Sequence, residues 1–471
     1  MVVSDGVRAT LAVAAMAVCL GAGSRTAAAD TLTGALIQAY QNNPQINSQR
    51  ALVRATDENV PIALSGYRPR MSITGSAGQQ SVSSTTRQSS LPGAPAQYLT
   101  QSGYNFPHAV GVTATQTLFN GFQTSNRTRQ AESQVLAARA ALRNIEQNVL
   151  LGAATAYMNV LRDGALVELQ RHNVDVLSEQ VRQARDRLRV GEVTRTDLAQ
   201  AESRLAGGRS QALAAESNYK TSVAIYRQVI GTQPGLLSPG APVDRFTPRN
   251  LNDAVALGTA QHPSVITAQY NLDAAALQVK IAEGALYPTV SLQASFQKNW
   301  ESALTVLESY NASVISQLSI PLYQGGSEYA TIRQAKETLG QRRLDLDVAR
   351  DQVRQGVVQA WGQVEAAKAN IQATEAQVGA AEIALNGVRE EARVGQRTTL
   401  DVLNAQQELV NARGSLVTAQ RDRVVASYTL LSSTGRLAPE VLGLGVQRYD
   451  AQTHYHQVRD SWVGVRTPDG Q

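Results

Sequence analysis

A chain of 471 residues with 17% charged and 5% aromatic residues is long enough for several domains, yet Ala, Gln, Arg, Leu and Val dominate, the palette of long helices rather than of one large globular core. The net charge of +5 does not indicate nucleic acid, because arginines alternate with Asp and Glu in runs such as "QVRQARDRLRV" and form no basic block. Cys19 is the only cysteine, which excludes a disulfide scaffold and thiol catalysis.

In chain order, the first signal is Arg8 ahead of the apolar run "LAVAAMAVCL", ending in "AAAD" with small residues at Ala27 and Ala29. This is the layout of a secretory leader, and it predicts removal of residues 1–29 and a mature chain starting at Asp30. Val18 precedes Cys19 where a lipid-anchored leader wants a small residue, so no lipid anchor is expected. No later stretch approaches the ~18–20 unbroken apolar residues of a membrane helix. A membrane span by this chain would use strands.

From Asp30 onward the chain is written twice. "VGEVTRTDLAQAE" at 190–202 returns as "VGQRTTLDVLNAQ" at 394–406, a separation of 204 residues shared by Gly121 with Gly325, Tyr157 with Trp361 and Arg189 with Arg393. Nearer the N-terminus the separation is 219, as for Leu32 with Leu251, Pro44 with Pro263 and Pro69 with Pro288. The difference places an insertion of about 15 residues between Pro69 and Gly121, the Ser/Thr/Gln/Pro-rich "QQSVSSTTRQSSLPGAPAQ", read as a loop. The expected organisation is a leader at 1–29, a first repeat at 30–231, a linker at 232–249, a second repeat at 250–445 and a tail without fixed order at 446–471.

Each repeat opens with a helix, at about 31–60 and 250–283, followed by a proline. Two strand-like runs come next: "PRMSITGSA" and "HAVGVTATQTLF", then "PTVSLQASF" and "SVISQLSIPLY". Val290, Leu292, Ala294 and Phe296 alternate with polar residues, one face apolar and one polar. The insertion at about 79–108 is expected to be the longer extracellular loop, with a counterpart near Lys298–Tyr310. "FNGF" and "YQGG" then turn each strand into a long helical segment, at 121–190 and 325–394; Gly121, Pro321, Gly325 and Gly326 are the expected strand-to-helix turns. Val353, Val357, Ala360, Val364, Ala367, Ile371 and on to Ala392 keep steps of four and three, predicting left-handed coiled-coil packing. Gly191 and Gly395 close these helices, and Thr194 or Thr196 and Thr398 or Thr399 are candidate N-caps for the helices that return. Asp197 and Asp401 fall in or near the first turns, where the helix dipole favours them.

Four amphipathic strands cannot close a barrel, since the smallest membrane barrels use eight. An open sheet in lipid leaves edges unpaired at several kcal/mol per buried polar group. Closure therefore requires several copies of the chain.

The duplicated layout, "ATAYMNVL", "SIPLYQGG" and "VGQRTTLDVLNAQQELVNAR" resemble the TolC family of outer-membrane channels over about 30–445. The resemblance implies a mainly α fold with membrane β: a homotrimer whose four strands per chain complete a 12-stranded outer-membrane barrel, joined to a long helical periplasmic tunnel. It implies docking on a periplasmic adaptor, an inner-membrane ABC, RND or MFS transporter as the pump, outer-membrane lipid around the barrel, and export of small toxic compounds or of unfolded protein by type I secretion. No cofactor, catalytic group, metal or nucleic acid enters this expectation. The rival reading is a periplasmic coiled-coil adaptor or structural protein of an envelope-spanning complex, but the lipoyl and β-barrel domains of an adaptor are not recognised. The pair His454 and His456 is read as incidental rather than a metal site, having no nearby carboxylates in sequence.

The resemblance also implies a gate at the periplasmic end, where polar links hold the tips together and aspartates line the entrance. Arg397 and Asp401 match its motif in the second copy and Asp197 in the first. Asn404 stands where the family's best-known member has a second ring aspartate, and Ala392 replaces a locking tyrosine, so a weaker cation trap and a more easily opened gate are expected.

Overall fold

The computed structural model describes residues 30–88, 97–468 and 470. The expected leader and the 89–96 part of the inserted segment lie outside the described residues.

The N-terminal helix of each repeat is broken at its proline. In the first copy the pieces are α1 (Leu32–Asn42), α2 (Pro44–Asp57) and α3 (Asn59–Leu64). Pro44 has no N–H to give, and Asn43 caps the new start by accepting from the Gln45 N–H at 2.8 Å. Four strands follow: β1 (Arg70–Ala77), β2 (Gln80–Gln88), β3 (Gln97–Asn105) and β4 (His108–Asn120). The long hairpin is α4 (Gln123–Arg189) and α5 (Arg195–Ile230). The second copy repeats the order with α6 (Leu251–Gln261), α7 (Pro263–Gly284), β5 (Thr289–Ala303), β6 (Val306–Ser319), α8 (Ser327–Arg393) and α9 (Thr399–Ser433). His262 caps α7 ahead of Pro263 as Asn43 does in the first copy. Two short helices, α10 (Pro439–Leu442) and α11 (Ala451–Val458), complete the chain. α4 and α8 each hold 67 residues, about 100 Å at ~1.5 Å per residue.

Contacts group the chain into two compact units that cut across the repeats. One comprises the described residues up to Asn47, Ile145–Gly258 and Gln355–Arg448. Its packing is helix on helix in layers, such as Ala360, Val364 and Ala367 against Ala426 and Leu430. Tyr157 is fully buried with its hydroxyl shared between the carbonyls of Asp30 and Ser238, tying the segments around those two residues to α4. Burial pushes that phenol up to about 12.

The other unit comprises Ser48–Asn144, Thr259–Arg354 and the residues from Tyr449. It holds an antiparallel sheet in the order β1-β4-β5-β6. Its register places Met71 and Ile73 beside Ala114 and Val112, these beside Ala294 and Phe296, and these beside Val314 and Ala312. An apolar belt thus crosses all four strands, and it stays exposed at Met71 (73%), Ile73 (77%) and Val314 (72%). A face of that kind is stable only against lipid or another apolar surface. Among the described residues no helix is long and apolar enough to cross a membrane.

Three expectations are corrected. The insertion is not a loop throughout: β2 and β3 pair as a second, two-stranded antiparallel sheet, from Gln80↔Asn105 to Gln88↔Gln97. Threonine and tyrosine favour extended backbone even where neither face is buried. The counterpart loop near Lys298–Tyr310 is also strand, since Lys298 pairs with Tyr310 and its amine meets Glu308 at 2.7 Å. The tail, expected without fixed order, carries α11, where His454 and Val458 are buried. His454 contacts the Asp57 carboxylate at 3.1 Å, and Asp57 is 0% exposed. His456 is exposed, so the two imidazoles do not converge.

Candidate functional site at the hairpin tips

Each tip is built by one helix ending and the next beginning. α4 ends in a Schellman motif: the Glu192 N–H donates to the Arg187 carbonyl at 2.9 Å and the Gly191 N–H to the Leu188 carbonyl at 3.2 Å. α8 ends identically, with Gln396 to Glu391 at 2.9 Å and Gly395 to Ala392 at 3.2 Å. The motif needs a left-handed residue at one position, and Gly191 (φ 81°) and Gly395 (φ 80°) supply it.

The return helices open with capping boxes. Thr194 accepts from the Asp197 N–H at 3.2 Å, while Asp197 accepts from the Thr194 N–H at 2.9 Å and hydroxyl at 2.7 Å. Thr398 and Asp401 repeat this at 3.3, 3.0 and 2.9 Å. Thr194 and Thr398, not Thr196 and Thr399, are therefore the caps. Hydrogen bonds from the Thr194 hydroxyl, then its backbone, hold the Asp197 carboxyl below its ordinary range. Asp401 is lowered first by the Thr398 backbone, then by its hydroxyl, with a smaller pull from Arg397. Both aspartates carry their charge into solvent.

Arg397 donates to Glu391 at 2.7 Å across its own turn, and that bond raises its pKa further. Asn404 accepts from Arg204 of α5 at 2.8 Å. Beside it Leu403, 2% exposed, packs into Leu177, Val181, Ala184 and Ala201 of the first hairpin. Between the tips lies a cleft of about 720 Å³ lined by Glu179, Arg187, Asp197, Arg389, Arg397 and Thr398. Ala392 also lines it, leaving space where a larger side chain would stand. Charged side chains of both signs around a water-accessible cleft can attract or repel ions and can be linked or parted; they include no nucleophile with its base.

Sequence reasoning missed Glu391, Arg204 and Leu403. Arg204 lies one heptad after Asp197, so the period could have put it on the same face. Its pairing with Asn404, 200 positions away, left no local mark.

At the other end of the helices, Gly121 (φ 63°) approaches Gly284 so closely that a Cβ would stand 2.3 Å from the Gly284 carbonyl oxygen. Gly325 (φ 72°) and Gly326 (φ 83°) turn the second copy with open space around them. Pro321 follows β6 in irregular backbone and so marks the strand's end.

The family model for outer membrane efflux proteins matches residues 35–232 and 257–436. The chain is 46% identical over 448 residues to the outer membrane efflux protein BepC of Brucella suis, covering 95% of this chain and 94% of that one. It is 25% identical over 430 residues to the outer membrane protein TolC of Vibrio cholerae, covering 89% and 94%. Among solved structures, the Campylobacter jejuni CmeC outer membrane channel superposes with a TM-score of 0.74 at 15% identity, covering 91% of this chain and 89% of that one.

Proposed function

The chain belongs to the outer membrane efflux protein family and is an outer-membrane exit duct of a Gram-negative bacterium; we propose that three copies build the duct, that a periplasmic adaptor docks on it, and that an inner-membrane ABC, RND or MFS transporter loads it. The cargo is small toxic compounds or unfolded protein. In this reading the chain conducts and performs no catalysis, and its segments act as the leader, the two repeats and the linker already delimited.

One observation carries the assembly. Inside the chain, α4 of the first copy meets α7 of the second: Gln130 donates to the Ala274 carbonyl at 3.2 Å and to Gln278 at 2.9 Å. Ile281, on the same α7 face, is 7% exposed. Through the duplication, Gln334 corresponds to Gln130, and Ala55, Asn59 and Ile62 correspond to Ala274, Gln278 and Ile281. In the single chain Gln334 and Asn59 are exposed and Ile62 is 67% exposed. Each end of the chain thus carries half of an interface that its middle has completed. Unlike halves join head to tail, and the joint closes into a ring. The sheet supports the same joint, because among the described residues β1 pairs only with β4 and β6 only with β5. Joining β6 of one copy to β1 of the next removes both edges, and three copies give twelve strands.

Oxidised Asn59→Cys/Gln334→Cys protein should run as a covalent trimer on a non-reducing gel, and neither single variant should. Native mass spectrometry of the detergent-extracted protein should give three chains. A conducting monomer, or a double variant that is linked between chains neither by oxidation nor by a short bis-thiol reagent, overturns the ring.

Within that ring the tips form the periplasmic gate. Asp401, charged in the second tip's cap, is assigned the dominant part in selectivity because clustered charge in a narrow pore raises the local field. Asp197 contributes the matching charge of the first copy, Asn404 none, and Arg397 resists opening. In planar bilayers Asp401→Ala should reduce cation selectivity and block by multivalent cations, while Arg397→Ser raises resting conductance. If both leave conduction unchanged and lower only stability, these residues are helix caps and the gate lies elsewhere.

A further inference from the structure

We propose that Arg204, Leu403 and Asn404 form a clasp fastening the two hairpins of one chain together, and that this clasp sets how easily the tips part. The proposal rests on reading the tips as the gate.

The clasp is needed because the tip residues themselves do not make the joint. Asp197 is engaged by Thr194 within its own hairpin, and Arg397 by Glu391 within the other. Further along α5 and α9 the hairpins do meet. Arg204 donates through Nη2 to Asn404 Oδ1 at 2.8 Å. One residue away Leu403, at 2% exposure, occupies a socket made wholly by the first hairpin: Leu177, Val181 and Ala184 on α4 and Ala201 on α5. Leu198 and Leu205 close the socket's sides. An apolar plug fixes the separation of the helices, and the adjacent charge-assisted hydrogen bond fixes their register.

The clasp is one-sided. By the 204-residue repeat, Ala199 stands where the second copy has Leu403, so the first hairpin offers no such plug in return. Glu408 stands in place of Arg204, and it accepts from Gln377 within its own hairpin at 3.3 Å. Of the two kinds of hairpin junction around the proposed ring, only the one inside each chain therefore carries this joint. Three clasps, all intrachain, add to the restraint that Arg397 places on the resting entrance.

Mature chain without cysteine makes the test clean. In planar bilayers Arg204→Ala and Leu403→Ala should each raise resting conductance several-fold. Arg204→Cys/Asn404→Cys should conduct like them when reduced and fall to the parental level or below when oxidised, reversibly, a response that a role in folding alone does not produce. Equal conductance with the two cysteines free and with them joined, by a disulfide or by a short bis-thiol reagent, overturns the clasp. Asp401→Ala separates the premises. If it lowers cation selectivity while the clasp variants change nothing, the gate stands and the clasp is wrong. If it changes nothing while the clasp variants raise conductance, the clasp stands without the aspartate ring. If none has an effect, the gate reading has failed with it.

Discussion

The two copies of the repeat agree most closely at their tips and least at their sheet ends. The Schellman bonds match between copies at 2.9 and 3.2 Å, and the capping boxes fall within 0.2 Å bond for bond. A helix-to-helix reversal must satisfy its last carbonyls and first N–H groups in four or five residues, and few sequences do so. At the sheet end the first copy adds β2 and β3, and the tail lays α11 against that copy alone: Tyr455 packs on Val60, Ala131 and Val135. Solvent-facing segments there carry no such backbone constraint. Duplicated parts drift where the backbone is free and persist where it is not.

The sharpest way to break the comparison is at the glycines after β4 and β6. Both have positive φ, so any side chain costs roughly 1–2 kcal/mol in backbone conformation. Gly121 in addition lies against Gly284, whose carbonyl oxygen a Cβ would meet at 2.3 Å, while Gly325 faces open space. Gly121→Ala should abolish folded protein in outer-membrane fractions, whereas Gly325→Ala should fold with only the conformational loss. Equal yields of the two variants would mean that the close approach relaxes.

The next difference lies at α11. Asp57 is fully buried between His454 and Arg139, and Ala276 is its counterpart in the second copy. Removing one member of a buried charged pair costs roughly 3–5 kcal/mol, so Asp57→Ala should release α11, seen as a change in fluorescence of Trp462, which lies under Arg68 at 4.7 Å. Burial is the main cause holding the Asp57 carboxyl above its ordinary range, outweighing the bond to His454 and the charge of Arg139. A carboxyl raised on folding favours the folded state when protonated. That contribution is full below its ordinary value near ~3.9 and is lost as pH rises through the raised value. The stability of the parent relative to Asp57→Asn should therefore fall from about pH 4 towards neutrality. A difference independent of pH would show that Asp57 does not titrate in the fold.

How much of this was legible follows from which forces leave periodic marks. The heptad run from Val353 to Ala392 gave the body of α8 and its end at Arg393, because burial repeats every 3.5 residues, while the glycine turn at Gly325 and Gly326 gave its start at Ser327. The alternation at Val290–Phe296 gave β5 for the same reason with period two. β2 and β3 were hidden because "QSVSSTTRQ" is exposed at eight of nine positions, so no face had to be apolar. α11 was hidden because it is eight residues long and buries only His454 and Val458, too few for a period. Among the site residues, Gly191 and Gly395 were readable from backbone geometry, and Asp197 and Asp401 from capping chemistry. The bonds of Arg397 to Glu391 and of Arg204 to Asn404 depend on which way long side chains turn, and sequence spacing does not encode that.

The smallest effect tests the closest likeness. Thr194 and Thr398 make the same capping box in the same order, so Thr194→Ala and Thr398→Ala should each cost about 1 kcal/mol. Their surroundings differ in charge: Arg397 meets Glu391 at 2.7 Å beside the second cap, while the first has Val193 in that place and a longer Arg187–Glu192 pair at 4.0 Å. The Arg397–Glu391 pair is exposed on both sides and adds little to stability, so the two losses should agree within experimental error in paired chemical denaturation of the assembled protein. Repeating the pair in high salt screens the exposed ion pair and leaves most of the short-range hydrogen bonding of the caps. A larger loss at Thr398 that disappears in salt would show that the Arg397–Glu391 bridge depends on that cap for its geometry. The second tip would then be a coupled unit, and Arg397→Ser would act on conduction through the turn as well as through charge.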